Sequence, residues 1–150
     1  MTTRSTGELH QLMRTTGFTG IDGTKALAEG WQLTDFADAG RRSLANLVQR
    51  TQASAVMVSF LDSDVGFIEA LTPDGDSWEG LLNRELAESY EIPLEHFPIE
   101  PAVAGALAWS AAAGLTPHEE AVRQTLTGSA LFAEELSSAL LVALGLPGAA

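Results

Sequence analysis

"VMVSFLDSDVGFIEAL", residues 56–71, decides the fold. Val56, Val58 and Phe60 alternate with Met57, Ser59 and Leu61. After "DSD", Val65, Phe67, Glu69 and Leu71 alternate with Gly66, Ile68 and Ala70. A period of two sends successive side chains to opposite faces, and a tight aspartate-rich connection between two such runs signals a hairpin. The sequence therefore predicts strands over 54–61 and 65–71. A lone hairpin is only marginally stable in water, so a third strand is expected. The candidates are "GWQL" at 30–33 and "LEHFPI" at 94–99, with the sheet edge of a partner chain as the other option.

Downstream of the hairpin, "TPDGD" (72–76) reads as a proline-led turn. Asp76 followed by Glu79 gives a capping-box spacing, and Trp78, Leu82, Leu86 and Tyr90 recur every fourth residue, which predicts a helix over 77–90. Three prolines stiffen residues 91–101 into an extended connector. Pro101 suits a first helical turn, and the uncharged "AVAGALAWSAAAG" after it predicts a helix buried on most sides and stopped at Gly114. Thr116, Pro117 and Glu119 predict a further helix start with Val122 and Leu126 inward, and His118 falls in its first turn. Ser129 is placed to cap a last helix with Phe132, Leu136, Leu140 and Leu144 in line, ended by Gly145 and Pro147.

Upstream, Thr34–Thr51 carries Phe36, Gly40, Leu44, Leu47 and Val48 at helical spacing, with Arg41, Arg42 and Arg50 on its outer side and Gly40 as its weak point. Residues 18–25 read as a loop. Ser5 and Glu8 form a capping-box pair for a short first helix lined by Leu9, Leu12 and Met13 and closed by Gly17. The sum is an α+β fold: one domain over 1–150, a small antiparallel sheet built on the central hairpin, five to six helices around it, and an all-helical C-terminal third.

The chain has 150 residues, 45% of them hydrophobic, enough to bury a core without covalent staples. It has no cysteine, which excludes disulfides and thiolate metal sites and fits a reducing compartment. The longest uncharged stretch, Pro101 to Pro117, is shorter than the roughly 20 residues of a bilayer span, and the N-terminus has no apolar signal-like run. A cytoplasmic protein is expected. One lysine against seven arginines, with abundant Ala, Gly and Leu, points to a high-GC bacterial genome or a phage of such a host.

The net charge of −12 is unevenly distributed. Residues 1–50 are near neutral, whereas 51–100 hold eleven acidic side chains against Arg84 alone. Binding to nucleic-acid phosphates or an anionic membrane needs clustered Lys and Arg, so both are disfavoured.

A calcium loop needs oxygen ligands at positions 1, 3 and 5, glycine at 6 and glutamate at 12. Counting from Asp62 fails after Asp64. Counting from Asp74 keeps Asp76 and Glu85 but puts Trp78 and Glu79 where a ligand and the glycine belong. The two aspartate pairs flank a seven-residue strand, about 23 Å when extended, so they do not share one metal. His10, His96 and His118 lack zinc-ligand spacing. Of these, His96, between Glu95 and Glu100, is the one candidate for acid-base or ligand chemistry. No nucleophile elbow, phosphate-binding loop or dinucleotide fingerprint occurs, and no cofactor is implied. Trp78 and Trp109 read as core, whereas Trp31 fits either core or an interface anchor.

The functional expectation is therefore a non-enzymatic, acidic protein-binding module of inhibitor or immunity type that masks a basic partner protein. Asp62, Asp64, Asp74, Asp76, Glu85, Glu88, Glu95 and Trp31 are its candidate contact residues, with Glu85, Glu88 and Glu95 the most exposed. The alternatives are a homodimer or other self-assembling subunit joined through a sheet edge or apolar helices, and a small enzyme or ligand-binding protein centred on His96.

Overall fold

The computed structural model of the chain describes residues 6–149, and the hairpin lies at their centre. Ten residues of helix α1 (Thr6–Thr15) lead into a small separate sheet, β1 (Asp22–Ala26) with β2 (Gln32–Asp35). Helix α2 (Ser43–Thr51) then precedes β3 (Ala55–Leu61), β4 (Val65–Leu71) and β5 (Ser77–Leu82). Helix α3 (Arg84–Ser89) and a 3-10 turn (Leu94–His96) lead to α4 (Ile99–Ala112), α5 (Glu119–Thr127) and α6 (Ala133–Ala143). The class is α+β, with the C-terminal region helical. None of the described helices is long and apolar enough to cross a membrane.

Strand order in the main sheet is β3-β4-β5, antiparallel throughout, with Leu61 opposite Val65 at one end and Leu71 opposite Ser77 at the other. The third strand is thus neither 30–33 nor 94–99. It is the first half of the stretch expected to be helical. A spacing of four residues is also a multiple of two, so Trp78 and Leu82 share a strand face as readily as a helix face. The turn at 72–76 then favours the strand, because β5 completes a sheet that the hairpin alone would leave marginal, and Gly80 leaves room for the Trp78 ring, which a Cβ there would meet at 2.8 Å. Asp76 and Glu79 form no capping box. The Asp76 amide donates instead to the Thr72 hydroxyl at 3.0 Å, inside the turn.

Other boundaries also move. Residues 22–25 of the expected loop fall in β1, while the end of "GWQL", Gln32 and Leu33, opens β2 of the small sheet rather than an edge of the main one. Helix α2 begins at Ser43, not Thr34. Gly40 lies in the turn before it, with its amide donating to the Ser43 hydroxyl at 2.8 Å. His118, not Thr116, occupies the cap position of α5, and α6 starts at Ala133 with Phe132 before it rather than inward. Leu94–His96 is a 3-10 turn within the expected extended connector. The Ser5 cap lies outside the described residues. Gly114 (φ 81°) and Gly145 (φ 93°) terminate α4 and α6 as expected.

Val56, Val58, Ile68, Ala70, Trp78 and Leu82 project from one sheet face into the main core, where α4, α5 and α6 bury Val103, Trp109, Val122, Leu126, Leu140 and Leu144 against them. The opposite face is shared. Leu61, Val65, Phe67 and Leu81 pack under α3 and the 94–97 segment, whereas Met57 meets the cluster formed by Met13, Phe18, Leu47 and Phe36. Helix α4 is less enclosed than its composition implies, since Ala104, Ala108, Ala111 and Ala112 are exposed. Its apolar outer side consists of methyl groups, which cost little in water.

Trp78 lies against a glycine of the neighbouring helix. A Cβ added at Gly105 of α4 would sit 2.5 Å from the Trp78 Cβ. Alanine at this helical position gains about 1 kcal/mol in propensity. The overlap falls on the root of a buried side chain and pushes α4 off β5, an overpacking cost of about 1–3 kcal/mol. Gly105→Ala is therefore expected to lower stability by about 1 kcal/mol net. Urea unfolding checks this, and a midpoint equal to or above wild type would show that α4 shifts freely.

Candidate functional site

The "DSD" connection closes β3 onto β4 with Asp62 (φ 51°) and Ser63 (φ 62°) both left-handed, and the Asp64 amide donates to the Leu61 carbonyl at 2.9 Å. Two consecutive left-handed residues match the twist of a hairpin, and aspartate tolerates that conformation better than most side chains. The tip docks on α6. The Ala133 amide, a first-turn donor with no helical carbonyl to meet, donates to the Ser63 carbonyl at 2.7 Å, and the Ser63 hydroxyl donates to the Glu134 carboxylate at 2.7 Å.

Asn83 ties the same end together from inside. It is 1% exposed and left-handed (φ 65°). Its Nδ2 donates to the carbonyls of Asp64 at 2.7 Å and Ala130 at 3.0 Å, while its Oδ1 accepts the Ala130 amide at 3.3 Å. The Tyr90 hydroxyl donates to the Asp64 carboxylate at 2.5 Å. That bond raises the Tyr90 pKa above the usual tyrosine range, reinforced by partial desolvation and by the charges of Asp64 and Asp62. The Ser129 hydroxyl donates to Glu85 at 2.9 Å. Arg84, the lone cation of the acidic segment, does not neutralise it. Its guanidinium donates to the carbonyls of Phe97 at 2.6 Å and Leu94 at 3.4 Å and so pins the 94–97 segment.

Asp62, Asp64 and Glu85 are thus brought together, with Glu88 exposed on the same short helix as Glu85 and Glu95 exposed on the 3-10 turn that packs on it. Among the described residues none of the five forms an ion pair. Arg123 pairs with Glu100 and Glu119, on the helical block. Asp74 and Asp76 do not join the group, because they lie in the turn at the far end of β4. Trp31 does not join it either. Its half-buried ring sits 6.2 Å from that of Trp109, whose Nε1 donates to the Leu71 carbonyl, again at the far end. Trp78 and Trp109 are core, as expected. The His96 ring is exposed and makes no hydrogen bond to a described residue. No group of three potential metal-ligating side chains occurs among the described residues.

Apolar side chains at the turn end were missed by sequence reasoning. Leu131 is 76% and Phe132 52% exposed, immediately before α6, and Tyr90 and Phe60 are also exposed. Helical spacing assigned Phe132 and Tyr90 to buried stripes. Phe132 precedes α6 and Tyr90 follows α3, so neither lies on a helical stripe. The available signal was the pair Leu131-Phe132 itself, two large apolar residues at the start of a helix. Glu134 was likewise missed.

The other sheet face carries a second acidic feature. Glu69 and Glu79 are directly opposite in the β4-β5 register, an arrangement that destabilises by about 0.2–1 kcal/mol. Burial, with Glu79 adding, raises the Glu69 pKa above the ordinary glutamate range. A carboxyl whose folded pKa exceeds its unfolded one holds its proton more tightly when folded, so its contribution to stability falls as pH rises through that window. Glu69→Gln is expected to raise stability at neutral pH by about 0.5 kcal/mol and to flatten this slope above pH ~4.5. Urea titrations across pH measure it, and an unchanged slope would show that the pair does not interact.

Comparison of the chain with protein-family models, with curated proteins and with solved structures finds no match.

Proposed function

We propose that the chain is a non-enzymatic acidic protein-binding module of inhibitor or immunity type, which covers a basic surface of a partner protein. The observation that carries this reading is the coincidence, at one end of the sheet, of exposed Phe60, Tyr90, Leu131 and Phe132 with Asp62, Asp64, Glu85, Glu88 and Glu134. Interfaces combine an apolar or aromatic centre with a polar rim, and a rim of one sign steers a partner of the other. The platform is fixed in advance by Asn83, the turn and the start of α6, which lowers the ordering cost of association.

The test is capture by a photo-crosslinker placed at Phe132, in cells of origin. Asp62→Lys, Glu88→Lys and Glu95→Lys together spare the hydrogen-bonded Asp64 and Glu85. Yield of a basic partner should fall about tenfold in this variant, and similarly when salt is raised from about 50 to about 300 mM. Capture indifferent to both changes overturns the reading.

A second reading has its own support. β3 is an edge strand with one pairing partner among the described residues, and its sequence "AVMVSFL" has no charge to discourage pairing with another edge. If two copies join there, Ser59→Lys turns a concentration-dependent dimer into a monomer in sedimentation. Sedimentation as a monomer at all concentrations excludes it.

A further inference from the structure

Between the cap formed by residues 84–97 and the cluster around Met57, the sheet face is left open as a groove of about 190 Å³, walled by Met57, Ser59, Phe67 and Phe97 and floored by Glu69 and Glu79. Its chemistry is divided. The Phe67 and Phe97 rings, 6.2 Å apart and tilted by 58°, offer apolar and π surface, and two carboxylates stand side by side next to them. Neither carboxylate has a hydrogen bond or ion pair with a described residue, and Arg84 beside the groove is held by backbone carbonyls. The free chain thus keeps a repulsive pair on the groove floor, half-buried Glu69 beside exposed Glu79, where a cation with an apolar stem relieves both the repulsion and the exposure of the rings.

We infer that this groove receives one arginine side chain of the basic partner, with its stem against Met57 and Phe97 and its guanidinium bridging Glu69 and Glu79. The inference rests on the protein-binding reading above and adds a specificity pocket to it. A planar guanidinium with five donors can engage two carboxylates at once and stack on phenyl rings, which a point-charge ammonium does less well. Repulsion between Glu69 and Glu79 is relieved by the ligand rather than by the fold. Such an arrangement costs stability in the free protein and favours the complex.

The probe is the capped tripeptide acetyl-Gly-Arg-Gly-amide, titrated into the folded full chain and followed by amide NMR signals of Phe67, Glu69, Glu79 and Phe97. The same peptide with citrulline in place of arginine serves as the uncharged control. The arginine peptide is expected to move these signals saturably at millimolar concentration, and the citrulline peptide should not. The near-isosteric Glu69→Gln/Glu79→Gln variant remains folded, because it removes a repulsion, and should bind the arginine peptide about tenfold more weakly. Absence of a saturable response at the groove, an equal response to citrulline, or binding that survives in the double glutamine variant overturns the inference. Failure of the protein-binding reading is seen separately. The Asp62→Lys/Glu88→Lys/Glu95→Lys variant alters no groove residue, so its capture yield reports on the outer surface while its peptide titration reports on the groove.

Discussion

Replacing Asn83 by alanine is expected to destabilise the protein by about 3 kcal/mol, and to loosen the β3-β4 turn and the 130 loop before the rest of the molecule. The side chain is 1% exposed and makes three hydrogen bonds, to the Asp64 carbonyl and to both backbone groups of Ala130. Alanine leaves these groups without their partner where solvent does not readily reach, at about 1–3 kcal/mol for an unsatisfied buried group. It also takes a left-handed backbone at φ 65°, which costs an ordinary residue about 1–2 kcal/mol. Asn83→Gly separates the two effects, since glycine accepts the backbone and lacks the hydrogen bonds, so its cost should be smaller by about 1 kcal/mol. Urea unfolding gives both values, and hydrogen exchange at Asp64 and Ala130 reports the local loosening. If Asn83→Ala costs under about 1 kcal/mol, the turn and the 130 loop are not held by this residue.

Trp109→Ala is expected to have the larger effect, about 4 kcal/mol, because it empties the contact through which the helical block meets the sheet. Trp109 is fully buried in the main core, contacts Trp31 and donates from Nε1 to the Leu71 carbonyl at 2.9 Å. Trp78 supplies an internal control. Its Nε1 is buried without a partner among the described residues, whereas that of Trp109 is satisfied. Both rings lose similar volume on replacement by phenylalanine, but Trp109→Phe also removes a hydrogen bond and Trp78→Phe removes an unpaired donor. The Trp109 variant should therefore be less stable than the Trp78 variant by about 1–2 kcal/mol. Equal losses would mean that the bond to Leu71 contributes nothing measurable. Far-UV circular dichroism alongside denaturant unfolding separates a weakened fold from a lost one.

What was legible in the sequence was whatever a local period or a local stop specifies. The alternation from Val56 to Leu71 determined the hairpin and its faces, Gly114 and Gly145 determined where two helices end, and Leu140, Leu144, Val122 and Leu126 were assigned inward correctly. Trp78 and Trp109 were placed in the core by their apolar surroundings. Residues 77–82 were misassigned because four-residue spacing is shared by strand and helix. The choice was made by β4, whose open edge gains a full ladder from β5. The site divides in the same way. Composition located the acidic segment, and strand length already separated Asp74 and Asp76 from Asp62 and Asp64. Only the tertiary structure joined Asp62, Asp64 and Glu85 to Glu134, Phe132 and Tyr90, through Asn83, Ser63 and the first turn of α6, across sequence separations of up to 71 residues. Register alone set Glu69 against Glu79. A sequence records which residues are charged or apolar and with what period, whereas the neighbours of an exposed side chain depend on chain segments whose meeting is fixed by the burial of other residues.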